Sequence, residues 1–408
     1  MSTAGALPPY RVIERALRLT TERLVREIAN PTESAPAWND FEWVVARAVC
    51  AMQGIGALLA SRCRWPGPQS WLEFLRDQQS HGLAHFENAG KVLARLDVAM
   101  RDAGIPCVAL KGSALRALGI HAPGLRPMGD IDLLVSPDLV THCAAVLDGI
   151  GYEPLYATAR HDIYVPKERA TPHGFAEHIR NPLRIEVHTR ISENLPITDV
   201  DITRHLWPAR LQPGINAYAN RAALMRHLML HTTANMRAHA MRFTQVNDIA
   251  RLAQRFEPDD WRELRGRDPE NDCWWMYPPM ALAARYLPGC IPDEVLPAFR
   301  TVCPARLRKR ADRYGVYDVS WSNLRISALP GHEWSRSPLE LVRFARSRVL
   351  PSRTALDELV KVVKARPNFA RVPWYGLSHW ERIIRWVFSR PPRVQTLTSV
   401  RAALEDAR

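Results

Sequence analysis

The run Asp130-Ile131-Asp132-Leu133-Leu134-Val135 constrains this 408-residue chain more than any other segment. Its apolar residues predict a β-strand, and alternate strand residues share a face. Both carboxylates therefore project the same way from an otherwise apolar strand. Like charges side by side repel unless a cation sits between them. Oxygen-only ligands favour Mg²⁺ or Mn²⁺ at such a place.

Upstream, Ile105-Pro106-Cys107-Val108-Ala109-Leu110 is short, apolar and strand-like, and it ends at Lys111-Gly112-Ser113. Ala114 to Leu118 predict a helix just after this turn. Glycine at 112 lets the backbone approach a ligand closely. The following helix N-terminus offers free amides and a positive dipole end, and Ser113 adds a hydroxyl donor. A strand, a Gly-Ser turn, a helix and a D-x-D strand together make a coherent site for a metal-bound triphosphate. Either element alone would be a weak signal.

Residues 1–103 predict helices. Asp40 is the expected N-cap of a run from Phe41 to Leu59, and a second helix from about Ser70 to Met100 is expected to break at Gly82. Residues 104–200 predict a mixed α/β block. Its later strands are expected near Gly151–Tyr156, Asp162–Val165, Phe175–Arg180 and Leu183–Ile191. Helices return over 201–300, with amphipathic segments at Asn220–Thr232 and Phe243–Arg255, and a basic helical region fills 301–408. The fold class expected is α+β: a small mixed sheet embedded between helical N- and C-terminal regions.

Charge is unevenly spread. Of the net +13, residues 301–408 supply +12, from 21 Lys and Arg against 9 Asp and Glu. Such a segment attracts polyanions through long-range Coulomb forces, or is a solvated helical surface. The run Arg306 to Arg310 and the tryptophans Trp321, Trp334, Trp374, Trp380 and Trp386 fit either nucleic-acid stacking or helical packing. Seven cysteines lack any C-x-x-C pair, which fits a reducing cytoplasm. No apolar run of about 18 residues and no secretory leader pattern occurs, so no membrane association is expected.

The segment Leu110-Lys111-Gly112-Ser113-Ala114-Leu115, with Leu125-Arg126-Pro127-Met128-Gly129 and the D-I-D-L-L-V strand, resembles the signature of the DNA polymerase β-like nucleotidyltransferase superfamily. More narrowly, it resembles an uncharacterised bacterial nucleotidyltransferase family reading L-K-G, then R-P-x-x-D-I-D-L-L-V. The resemblance implies that Gly112 and Ser113 hold the triphosphate of an NTP and that Asp130 and Asp132 bind two metal ions. It implies a third carboxylate on a later strand. Leu183-Arg184-Ile185-Glu186-Val187-His188 matches that strand, so Glu186 is the third acid, with Glu where Asp is commoner. Glu177 is the rival, and His188 matches a histidine that follows two residues on.

The reaction implied is Mg²⁺-dependent transfer of a nucleoside monophosphate to an acceptor hydroxyl on RNA, protein or a small molecule. An inert binding or scaffold protein of the same fold, and kinase-like phosphate transfer, are the alternatives. Lys111 either steadies phosphate as a point charge or ends a strand in solvent. Arg126 either clamps triphosphate oxygens or anchors its loop. Asp248 either touches the nucleotide or serves structure. His227 and His231, one helical turn apart, lack an acidic third ligand at a recognisable spacing and read as core or surface histidines.

Overall fold

A computed structural model of the chain describes residues 7–158, 161–266, 273–353, 355–357, 360 and 373–407. It is an α+β fold, as the sequence predicts. Four helices come first: α1 (Tyr10–Ala29), α2 (Asp40–Gln53), α3 (Gly56–Arg62) and α4 (Gln69–Asp102). The start of α2 is a capping box one residue earlier than expected. The Asn39 side chain, not that of Asp40, accepts from the Glu42 amide, while Glu42 accepts from the Asn39 amide, both at 3.0 Å. Nor does the next helix break: α4 runs 34 residues through Gly82. A Cβ at position 82 would come within 2.5 Å of the Gly124 carbonyl oxygen. That glycine serves close approach of the 119–129 loop to the helix rather than a kink.

The sheet has six strands in the order β3-β4-β5-β2-β1-β8. They are β1 (Pro106–Ala109), β2 (Asp130–Val135), β3 (Tyr152–Ala157), β4 (His161–Pro166), β5 (Arg184–His188) and β8 (Gly214–Asn216), and a separate hairpin holds β6 (Ser192–Asn194) and β7 (Asp199–Asp201). Strand β2 is central, antiparallel to β1 and parallel to β5. Between them in sequence lie α5 (Lys111–Ala117), α6 (Val140–Gly149) and α7 (Thr203–Leu206), and α8 (Arg221–Arg237) and α9 (Phe243–Ala253) follow the last strand. Helix α5 begins at Lys111, so Gly112 and Ser113 lie inside its first turn rather than before it.

The segment expected as a strand over Phe175–Arg180 is turns instead. Ala176 takes a left-handed conformation at φ 55°, and the Asn181 carboxamide accepts from the His173 amide at 2.8 Å. Side-chain bonds of this kind compete with a ladder.

The two faces of the sheet have different partners. Ile131, Leu133, Val135, Ile185 and Val187 pack with Leu96 and Met100 of α4 and Cys143 and Leu147 of α6. The opposite face carries Asp130, Asp132 and Leu134, and Leu134 joins the core built around α8. That position buries α8 nearly all round, so the amphipathic pattern expected there is replaced by a core helix. The same core reaches Ile13 in α1 and Val400 and Ala403 in the helix Val394–Asp406, which packs on α2. Among the described residues no single helix is long and apolar enough to cross a membrane, and the seven cysteines are unbridged.

Ile131, wedged between the two aspartates, is fully buried on the opposite face. Truncation to alanine leaves a cavity under the strand. Ile131→Ala should lose about 2–5 kcal/mol in urea unfolding, with the unfolding slope unchanged.

Candidate active site

Strand register brings the acids together. Asp132 lies directly across from Glu186, and Asp130 across from Arg184. Because β2 and β5 are parallel and in register, Asp130, Asp132 and Glu186 share one face. Glu177 lies outside the strands. Its amide donates to Gln78 Oε1 at 3.1 Å, and its carboxylate lies 3.4 Å from His85 Nδ1.

Lys111 neither ends a strand nor lies in solvent. Its Nζ donates to Asp132 Oδ1 at 2.7 Å. Its backbone is held at φ 44°, a left-handed conformation that costs a non-glycine residue energy. The Lys111 amide donates to the Tyr218 hydroxyl at 3.0 Å, and that hydroxyl is hydrogen-bonded to His227 Nδ1 at 2.7 Å. A buried chain from α8 thus fixes the turn that aims the lysine. His188 Nε2 donates to the same Asp132 oxygen at 2.9 Å.

Arg126 is the anchor of its loop. Its Nε lies 3.0 Å from both carboxylate oxygens of buried Asp248, and His121 Nε2 reaches the same carboxylate at 2.8 Å. This ties the loop before β2 to α9. It also accounts for Gly112, since a Cβ there would meet Arg126 Nη1 at 2.5 Å and Met128 Cγ at 3.3 Å. A pinned guanidinium cannot move aside cheaply.

Ser113 is buried, and its Oγ has no hydrogen-bond partner among the described residues. It borders a cavity of about 610 Å³ between α4, α5 and the start of α8, lined chiefly by apolar side chains such as Leu93, Ala117 and Leu224. A buried hydroxyl left without a partner calls for a ligand or water.

The acids differ sharply in proton affinity. Burial raises Glu186 to about 8, helped by the negative charges of Asp132 and Asp130. Asp130 is reached by solvent, yet crowding and the neighbouring Asp132 raise it too. Burial would also raise Asp132, but the Lys111 ammonium and His188 outweigh it and hold Asp132 well below the ordinary range. The face thus carries more negative charge than its one contacting lysine neutralises. Among the described residues, the group whose ligand atoms all lie within 4.8 Å of one another is His161, Glu186 and His188.

Sequence reasoning missed His161, whose Nε2 lies 3.7 Å from Glu186 Oε2. It is the cross-strand partner of His188, a pairing that no motif announces. Nor did it bring His227 and His231 to this place, where they line one small cavity with Lys111, Glu186 and His188. Burial keeps both neutral, His231 down at about 3.

The raised Glu186 has a stability consequence. A group whose folded pKa is raised contributes stability that is complete below its unfolded value, near 4.5, and is lost as pH rises through about 8. Glu186→Gln should therefore raise the melting temperature of the metal-free protein at pH 8.5 and change it little at pH 5. Equal shifts at the two pH values would show that Glu186 does not titrate in this window.

The family model described as "Uncharacterised nucleotidyltransferase" matches residues 39–280, more than half of the chain. No curated protein and no solved structure matches. The matched span runs from the capping box of α2 through the carboxylate strands to Met280 in the helix Tyr277–Tyr286, and the chain belongs to this family of uncharacterised nucleotidyltransferases.

Proposed function

We propose that the protein transfers a nucleoside monophosphate from an NTP to an acceptor hydroxyl with Mg²⁺, on a site of the DNA polymerase β-like type. The observation that supports this reading is the in-register placement of Asp132 and Glu186 on neighbouring parallel strands, with Asp130 on the same face. Asp130, Asp132 and Glu186 would hold the metal. When bound, it supplies charge neutralisation to the triphosphate and relieves the repulsion among the carboxylates.

The acceptor oxygen forms a bond to the α-phosphorus as the bond from that phosphorus to the β-bridging oxygen breaks. Pyrophosphate leaves, and the hydroxyl proton passes to a Glu186 carboxylate oxygen or, where Glu186 completes the metal's shell instead, to solvent. Lys111 exchanges its contact with Asp132 for phosphate oxygens as nucleotide enters. Ser113 Oγ, without a hydrogen-bond partner among the described residues, would donate to nucleotide or acceptor. Arg126 acts through its tie to Asp248, holding the turn against Gly112. The solvated arginines of the helix Ala305–Ala311 extend a basic surface that would recruit a polyanionic acceptor such as RNA, while Trp334 is core.

With an α-³²P NTP, Asp130→Asn and Asp132→Asn should each cut label transfer and pyrophosphate release on the order of 10²–10³-fold. Asp130→Asn should stay folded, because it removes one of two repelling charges, whereas Asp132→Asn also leaves the Lys111 ammonium without its partner and its fold is checked by circular dichroism alongside. Near-normal turnover in either would sink the reading. Label moving from the γ position without pyrophosphate would replace it with phosphate transfer.

A further inference from the structure

We infer that His161, Glu186 and His188 form a site for a borderline divalent transition-metal ion, of which Zn²⁺ is the representative probe. Their ligand atoms all lie within 4.8 Å of one another. Glu186 Oε2 stands 3.7 Å from His161 Nε2 and 3.8 Å from His188 Nε2. Ligand atoms at about 2.0–2.1 Å from a tetrahedral ion are about 3.3 Å apart, so small side-chain rotations close the set. Register makes the grouping a property of the sheet. His161 and His188 are direct partners on β4 and β5, with ring centroids 4.9 Å apart, and Glu186 lies two residues before His188 on the same face.

Two imidazoles and a carboxylate select a different ion from the aspartate pair. All-oxygen sites suit Mg²⁺, whereas imidazole ligands favour Zn²⁺ and its neighbours. Three protein ligands of this type leave coordination positions open. His188 Nε2 currently donates to Asp132 Oδ1, so binding exchanges that hydrogen bond for the ion and brings Asp132 to its border. The surroundings suit a confined ion. Lys111, Leu230, His227 and His231 bound a cavity of about 130 Å³ beside the three ligands. The site shares Glu186 with the function proposed above but does not rest on nucleotidyl transfer.

The test uses the full chain without a histidine tag, stripped by chelator and titrated with Zn²⁺ in excess Mg²⁺. One equivalent should bind and resist Mg²⁺. His161→Gln should weaken it about ten-fold or more, while Asp130→Asn should retain it. Wild-type protein loaded with Co²⁺ should show visible ligand-field bands from nitrogen ligation, a readout that needs no variant to fold. Displacement of Zn²⁺ by Mg²⁺, unchanged affinity in folded His161→Gln, equal loss in Asp130→Asn, or absent Co²⁺ bands would each overturn the inference. Zn²⁺ binding without nucleotidyl transfer would remove the proposed function and leave this site standing. Transfer without Zn²⁺ binding would do the reverse.

Discussion

Three carboxylates on one face of a sheet are costly to hold together, and the architecture around them answers that cost. Strands β2 and β5 fix their spacing, because parallel register sets Asp132 against Glu186 and leaves neither free to swing far. Lys111 supplies the contacting positive charge, and it does so from a left-handed backbone that the Tyr218–His227 pair keeps in place. The unequal proton affinities follow directly. The acid that touches the lysine stays ionised, and the acid across the ladder tends toward its neutral form. Pairs of titratable groups pushed apart in this way are a common mark of functional sites.

Supporting contacts extend outward from that face. The Arg126–Asp248 clamp fastens the loop entering β2 to α9, and Gly112 is small because that guanidinium lies against it. Helix α4 supports the opposite face of the sheet and admits the 119–129 loop at Gly82. The backbone thus meets the loop twice, and each meeting is written as a glycine.

Local signals in the chain announced much of this. Alternation in a strand put Asp130 and Asp132 on one face, and the later I-E-V-H segment pointed to Glu186. The D-I-D-L-L-V strand came out with the bounds expected, because period-two patterning depends only on neighbours. What depends on distant partners was not legible. His161 enters the site only through the β4–β5 register, and Asp248 meets Arg126 across 122 positions. Gly82 reads as a helix breaker until the facing loop is known. The 175–180 segment has strand-like composition, but the conformation of Ala176 and the side chain of Asn181 turn it away.

The helix Val394–Asp406 packs on α2, and Arg47 pairs with Asp406 across 359 positions of chain. During synthesis, α2 therefore emerges long before its last neighbour exists. At translation rates of about 5–20 residues per second, the wait is on the order of tens of seconds. Contacts this distant in sequence slow folding, since loop closure must precede their reward. Through that interval the flank of α2 that the helix Val394–Asp406 covers in the finished fold stands open to solvent.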